Sequence, residues 1–472
     1  MVNNPYLDVD KKIMSEIYTS SEPMDNLKVL CDVHGSRFPG TPGDFGSVKY
    51  MVEKLESYGV DDAHYEKFTI PGWKRGPATL EVTSPIKREF EVISLPHSIT
   101  GEVEAKLVDL GAGHVDIYEK KSDEVDGNIV MVSSDSPLGM TRNLHRSEKY
   151  RRSVLAGAKG WIFMNHYPAY GPPTGGINPI IPSVGIAYED GAFLQRLIER
   201  AGEVKVRITT KDKNLDVETY NVVGDVPGTG SDTEYLVTGC HYDGHDISQG
   251  ALDPASGAVV VMEMARVLSI VRDRLKRRVR FLLFGAEETG LHGSRYYTSA
   301  HEEELADCRF MLNLDSAGGP GKRGVIFTGY TELYPLVERW AAEMKADIPY
   351  FSRMSSASDH FPFFQKGVPT GNGGDPGRTS TGRGFGHTRY DTLDKIELTN
   401  LRLASANYSR FLFRAANCDD WPMKGKSQEE IDELISQMRP GDAVDLNERL
   451  VEYVRTWDDL HPDTKEWLDR QP

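Results

Sequence analysis

The sequence predicts an α/β fold: a mostly parallel mixed sheet flanked by helices, with a small β-rich domain inserted into it. Three observations carry this. Apolar runs at Tyr235 (YLVTGC), Val279 (VRFLLFG) and Arg309 (RFMLNL) alternate with helical segments, as strands buried on both faces do. Between about Gly101 and Thr210 the character changes to short apolar runs (AKLVDL, NIVMVSS, GWIFMN, PSVGIA, VKVRITT) separated by Gly and Pro clusters, which reads as five or six short strands. His241, Glu287, Glu288 and Asp315 each follow an apolar run, at the carboxyl strand ends where function gathers in open α/β sheets.

In chain order, residues 1 to about 30 place Ile13, Ile17, Met24, Leu27 and Leu30 at helical spacing, so one or two amphipathic helices are expected there. Ser36 to Ser47 is dense in Gly and Pro and reads as a loop, followed by a helix closed by Gly59 and the strand HYEKFTIPGW. A helix is expected over Arg146 to Ala158. After Asp253, the segment PASGAVVVMEMARVLSIV is an apolar helix in which Gly257 permits close packing. GVIFTG continues the sheet, LYPLVERWAAEM is the next helix, and Phe351 to Asp391 is polar and irregular, as stretches that line a site are. A helix from Leu398 to Ala416 closes the domain, and the acidic remainder holds helical segments EEIDELISQM and ERLVEYVRTW. The expected boundaries are 1–100 for the amino-terminal part of the main domain, 101–212 for the insertion, 213–417 for the catalytic part and 418–472 for a helical tail.

The totals narrow the class. A chain of 472 residues is long enough for two or more domains. Its net charge is −16, from 71 acidic against 55 basic residues, without a basic stripe interleaved with aromatics, so nucleic acid is not an expected partner. No run of about 18 apolar residues occurs and the amino terminus lacks the basic-then-apolar order of a signal peptide. A cytoplasmic location and no membrane contact are expected. Cys31, Cys240, Cys308 and Cys418 are far apart and form no CxxC pair, which predicts reduced thiols.

His241 and Asp253 lie twelve residues apart, and the adjacent carboxylates Glu287 and Glu288 follow the next strand. Imidazole with carboxylate suits zinc, and also cobalt or manganese, whereas harder cations prefer oxygen alone. Two adjacent glutamates at a strand end point in different directions, so one can ligate while the other moves a proton. Taken singly, each residue reads more readily as a hydrogen-bonded strand-end histidine or a solvated carboxylate than as a ligand. His245 and Asp246, in the loop behind His241, read as surface positions. The sequence has no HExxH, which argues against a thermolysin-like zinc protease.

Five segments in order, CHYDGHDISQGALDPASG, FGAEETGLHGSRYY, NLDSAGG, SDHFPF and HTRYDTLDKI, resemble the dinuclear zinc exopeptidases of peptidase family M28, which include bacterial aminopeptidases and the plasma glutamate carboxypeptidase type. RRSVLAGAKGWIFMN and IPSVGIAYEDGAFLQRLI resemble the protease-associated domain found inserted in some members. The resemblance implies two Zn2+ ions (Co2+ or Mn2+ as substitutes), with His241 on one, Asp253 bridging both, Glu288 and Asp315 completing the shell and His387 on the second. It implies Glu287 as general base and Asp243 as the outer carboxylate that fixes a ligating histidine's tautomer. Asp359 and His360 match a segment near the site. The tyrosine that assists the oxyanion in some secreted members has no counterpart, since Phe385 and Gly386 precede His387.

The expected function is therefore an exopeptidase of short peptides, first an aminopeptidase, and alternatively a carboxypeptidase or dipeptidase. Arg378, Arg383 and Arg389 could bind a substrate carboxylate or neutralise an acidic protein. A non-catalytic binding protein would lack ligands, and a cyclisation enzyme on the same fold typically uses one zinc; the complete ligand set disfavours both. The inserted domain is expected to act as a lid or a homodimer contact.

Overall fold

The computed structural model describes residues 3–140, 142, 144–231, 233–375, 384–438 and 445–471. They form two compact units, each built from separated stretches of chain. Met1–Ile70, Glu218–Gly386 and Asp391–Met438 make the first, and Pro71–Val217, His387–Tyr390 and Arg439–Pro472 the second.

The first sheet has eight strands in the order Asp61–Lys74, Lys213–Val226, Arg278–Phe284, Tyr235–His241, Cys308–Asn313, Thr370–Gly374, Gly324–Phe327 and Tyr350–Ser352. Tyr235–His241 runs parallel to both neighbours, with His241 opposite Phe284 and Gly239 opposite Asn313. Lys213–Val226 and Gly324–Phe327 pair antiparallel to their inner neighbours, so the sheet is mixed around a parallel centre. Every residue of Tyr235–His241 is buried, which is why this strand reads as a continuous apolar run rather than an alternation.

Ser256–Ile270 is the apolar helix behind that strand, buried over nearly its whole circumference. A Cβ on Gly257 would lie 2.0 Å from the Leu314 carbonyl oxygen and 2.8 Å from Cys240 Sγ, so only glycine allows this helix to approach the strands so closely. Leu7–Tyr18 buries Val9, Ile13 and Ile17 at four-residue spacing, and its Asp10 pairs at 2.8 Å with the buried Arg414 of helix Leu398–Asn417. Helix Pro42–Ser57 starts inside the stretch expected as loop, because Pro42 suits the first helical position and the Thr41 side chain accepts the Asp44 N–H at 3.3 Å.

The second sheet runs Arg88–Phe90, Ala78–Ser84, Lys205–Thr210, Gly101–Asp109, Ile129–Ser133, Gly160–Met164, Ser183–Ile186 and Val92–Ser94. Two expected boundaries need correction. Residues 71–100 belong to the second unit: Leu80, Val82 and Phe90 alternate inward onto the core that holds Val206 and Ile208. Residues 418–472 are not a separate tail either. Helix Gln428–Met438 belongs to the first unit, while helices Leu446–Arg455 and Pro462–Asp469 bury Leu450, Val451, Val454 and Leu468 against Tyr150, Val154 and Trp161 of the second. The four cysteines are buried and unbridged, and among the described residues no helix is long and apolar enough to cross a membrane.

Candidate metal centre

His241 ends the central strand of the first sheet and is 1% exposed. Its Nδ1 lies 3.0 Å from the Asp243 main-chain oxygen. A carbonyl can only accept, so the proton sits on Nδ1 and the Nε2 lone pair is left for another partner. That Nε2 is buried without a hydrogen-bond partner, 3.4 Å from Asp253 Oδ1 and 3.6 Å from Asp315 Oδ1. One ligand atom from each of His241, Asp253 and Asp315 falls within 4.8 Å of the others. Burial alone pushes the imidazole pKa down, but the carboxylates of Glu287, Asp243, Asp253 and Asp315 together carry it well above its ordinary value. The site thus favours positive charge at Nε2, and its donor set fits a divalent cation.

The group that fixes the His241 tautomer is the Asp243 carbonyl, with its carboxylate oxygen at 3.6 Å. The carboxylate, fully buried, instead accepts the main-chain N–H of Glu287 at 3.0 Å and of Glu288 at 3.3 Å. One residue therefore orients the histidine with its backbone and both glutamates with its side chain.

Those glutamates follow strand Arg278–Phe284 through Ala286, whose φ of 58° is left-handed. Ser316, next to Asp315, has φ 56°. Non-glycine residues in this region cost about 1 to 3 kcal/mol each and collect at functional sites. Glu287 is partly exposed. Burial pushes its carboxyl pKa well up, His241 opposes this, and Glu288, Asp359 and Asp315 reinforce it. Glu288 is buried, and its Oε2 lies 3.0 Å from Nε2 of His245. His245, expected on the surface, is 2% exposed, because the loop that carries it folds inward. Its sequence signal was its place four residues after His241, which a loop reading discards.

Two further residues hold the ligands and were given no role by the sequence. Asp391, in the segment HTRYDTLDKI, accepts the N–H of Leu252 at 2.8 Å and of Asp253 at 3.0 Å, fixing the backbone of the ligand aspartate. Arg37, in the Gly- and Pro-rich stretch before helix Pro42–Ser57, is fully buried and donates to the carbonyls of Tyr242 at 2.7 Å, Leu30 at 3.1 Å, Gln249 at 2.8 Å, Gly250 at 3.0 Å and Gly35. It ties both ends of the 242–250 loop together. An arginine in a loop looks like surface charge, so nothing local distinguishes it.

Asp315 follows strand Cys308–Asn313 and accepts from Ser358 Oγ at 3.1 Å; Ser358 in turn accepts from Asn313 Nδ2 at 2.7 Å. Asp359 is fully buried, and burial first of all pushes its carboxyl up to about 7. His360 places Nε2 3.0 Å from the Ser355 carbonyl, and burial brings its pKa down to about 4, so it serves as a neutral donor within helix His360–Gln365.

His387 lies in the stretch His387–Tyr390 of the second unit, with φ 58°. Its carbonyl accepts from Thr174 N at 2.8 Å, and its Nδ1 lies 3.3 Å from Arg146 Nη1. Arg389 is exposed and pairs with Glu91 at 3.0 Å, and Arg378 and Arg383 lie outside the described residues.

Residues 221–412 match the sequence model of Peptidase family M28, and residues 103–194 match that of the PA domain. The chain is 24% identical to Carboxypeptidase Q of Bos taurus over 88% of this chain and 90% of that protein. Among solved structures it resembles a peptidase M28 precursor from Shewanella amazonensis SB2B (23% identity, TM-score 0.77, 89% of this chain and 98% of that one). It also resembles BSAP, a zinc aminopeptidase from Bacillus subtilis (25% identity, TM-score 0.65, 84% and 94%).

Proposed function

We propose that this chain, similar to peptidase family M28 with an inserted PA domain, is a zinc-dependent exopeptidase that removes residues from the amino end of short peptides at a two-zinc centre. His241, Asp253 and Asp315 would hold one ion; Asp253, Glu288 and His387 the other. The observation that carries this reading is His241 Nε2, buried between two carboxylates with no hydrogen bond of its own. His387 enters through the resemblance of HTRYDT. Asp391, four residues further on in the chain, holds the backbone of Asp253.

Bound there, the cations supply Lewis-acid activation of water and of the scissile carbonyl. Glu287 takes a proton from the attacking water and returns it to the leaving amine, for which a raised carboxyl pKa brings it nearer the working pH. Asp243 keeps Glu287 and Glu288 pointing to different tasks through their two N–H groups. Ser358 orients Asp315, so the carboxylate that faces His241 does not swing away.

A carboxypeptidase reading has one observation in its favour, the similarity to Carboxypeptidase Q. Against it, Arg389 is already engaged by Glu91, which removes one candidate cation for a substrate carboxylate. The deciding experiment uses two dipeptides, one N-acetylated and one amidated at the carboxyl end, with zinc-loaded protein and Glu287→Ala as control. Cleavage of the amidated peptide alone is expected; cleavage of the acetylated one alone would establish the carboxypeptidase.

A further inference from the structure

We propose that His245 is a ligand of the second metal ion, beside Glu288, which the family resemblance does not assign. The inference rests on the two-ion reading above. His245 Nε2 and Glu288 Oε2 are 3.0 Å apart, both residues nearly inaccessible. The two ligand atoms belong to a group of donors that all lie within 4.8 Å of one another. A buried ring nitrogen and a carboxylate oxygen at that distance can both reach one small cation.

The loop is built to hold that geometry. Gly244 N donates to the Ser36 carbonyl at 2.8 Å and Ser248 N to the His245 carbonyl at 3.2 Å, while Arg37 pins the carbonyls of Tyr242, Gln249 and Gly250. Asp243, two residues before His245, accepts the N–H of Glu288 itself. The imidazole and the carboxylate are thus fixed to one another through the main chain before any ion arrives. An imidazole at this site adds nitrogen to its donor set, which favours zinc or cobalt over manganese there.

The test is zinc binding to metal-free protein, wild type against His245→Ala and His245→Gln, by competition with a chromophoric chelator. Zinc-edge X-ray absorption on the loaded proteins counts bound imidazoles, and circular dichroism of both variants verifies folding. Two ions are expected in the wild type. The variants should keep the first at unchanged affinity and weaken the second by more than about 100-fold, beyond the range for loss of an outer hydrogen-bond partner. Imidazole scattering should fall by one ring per protein. Unchanged binding, or weaker binding with unchanged imidazole scattering, overturns the assignment and leaves His245 as an outer neighbour of Glu288. Uptake of a single ion by the wild type would instead defeat the two-ion reading itself.

Discussion

Asp243 grips Glu287 by its main chain: Oδ1 accepts the Glu287 N–H at 3.0 Å, while the Asp243 carbonyl faces His241 Nδ1 at the same distance. The substitution Asp243→Asn keeps the carbonyl and leaves one of the two N–H groups facing an amide NH2. Zinc affinity and kcat/KM should each fall about 10- to 100-fold, as for other residues that orient ligands. A chelator titration and peptide hydrolysis measure this; wild-type values would show that the glutamate loop holds itself.

Glu287→Gln preserves shape and removes the proton acceptor. We expect kcat to fall by about two to four orders of magnitude with KM and zinc content nearly unchanged. Loss of zinc in this variant would move Glu287 from proton transfer to ligation.

Arg37→Lys retains the charge and loses the planar fork that reaches Tyr242, Gln249 and Gly250 together. Unpaired buried carbonyls cost about 1 to 3 kcal/mol each, so urea unfolding should show a loss of about 2 to 4 kcal/mol. A smaller change would mean that water replaces the guanidinium.

Asp44 is buried, accepts from Tyr242 Oη at 2.6 Å and Gly40 N at 2.9 Å, and burial pushes its carboxyl from 3.8 up to about 7. A carboxyl raised in the folded state contributes stability that is full below the unfolded value near 4 and is lost as pH rises through 7. Asp44→Asn cannot titrate, so its stability relative to wild type should improve between pH 4 and pH 8, by about 4 kcal/mol at most. A difference that stays flat with pH would place the proton elsewhere.

Chelation of zinc should abolish hydrolysis and lower the unfolding temperature, because a ligand at 100 times its Kd adds about 2.7 kcal/mol per site. Thermal scans with and without a chelator test this. An unchanged midpoint would mean that the carboxylates around His241 do not need a cation to stay folded.

The chemistry was easier to read than the scaffold that aims it. His241, Asp253, Glu287, Glu288 and Asp315 follow apolar runs or stand at short spacings, so their types and positions were visible in the chain. Asp391 and Arg37 act through main-chain groups more than a hundred residues away, and no local pattern encodes such a partner. A loop position makes His245 look exposed, because loops are usually wet; here the loop is pulled inward by Arg37. The central strands announced themselves by continuous burial, whereas the hairpin of Ala78–Ser84 and Arg88–Phe90 could not be assigned to a sheet, since Lys205–Thr210, which pairs with Ala78–Ser84, comes over a hundred residues later.

Neither unit is a continuous piece of chain, and this sets an order of events on the ribosome. The first seventy residues carry Ile13, Ile17, Leu27 and Leu30, whose core partners Val259, Leu268 and Leu412 are made much later. The second unit, begun at Pro71, still waits for Leu450 and Val454 to cover Trp161. Both cores therefore stay open until these late segments emerge. A nascent chain with two unfinished apolar cores is exposed to aggregation for the whole of that interval.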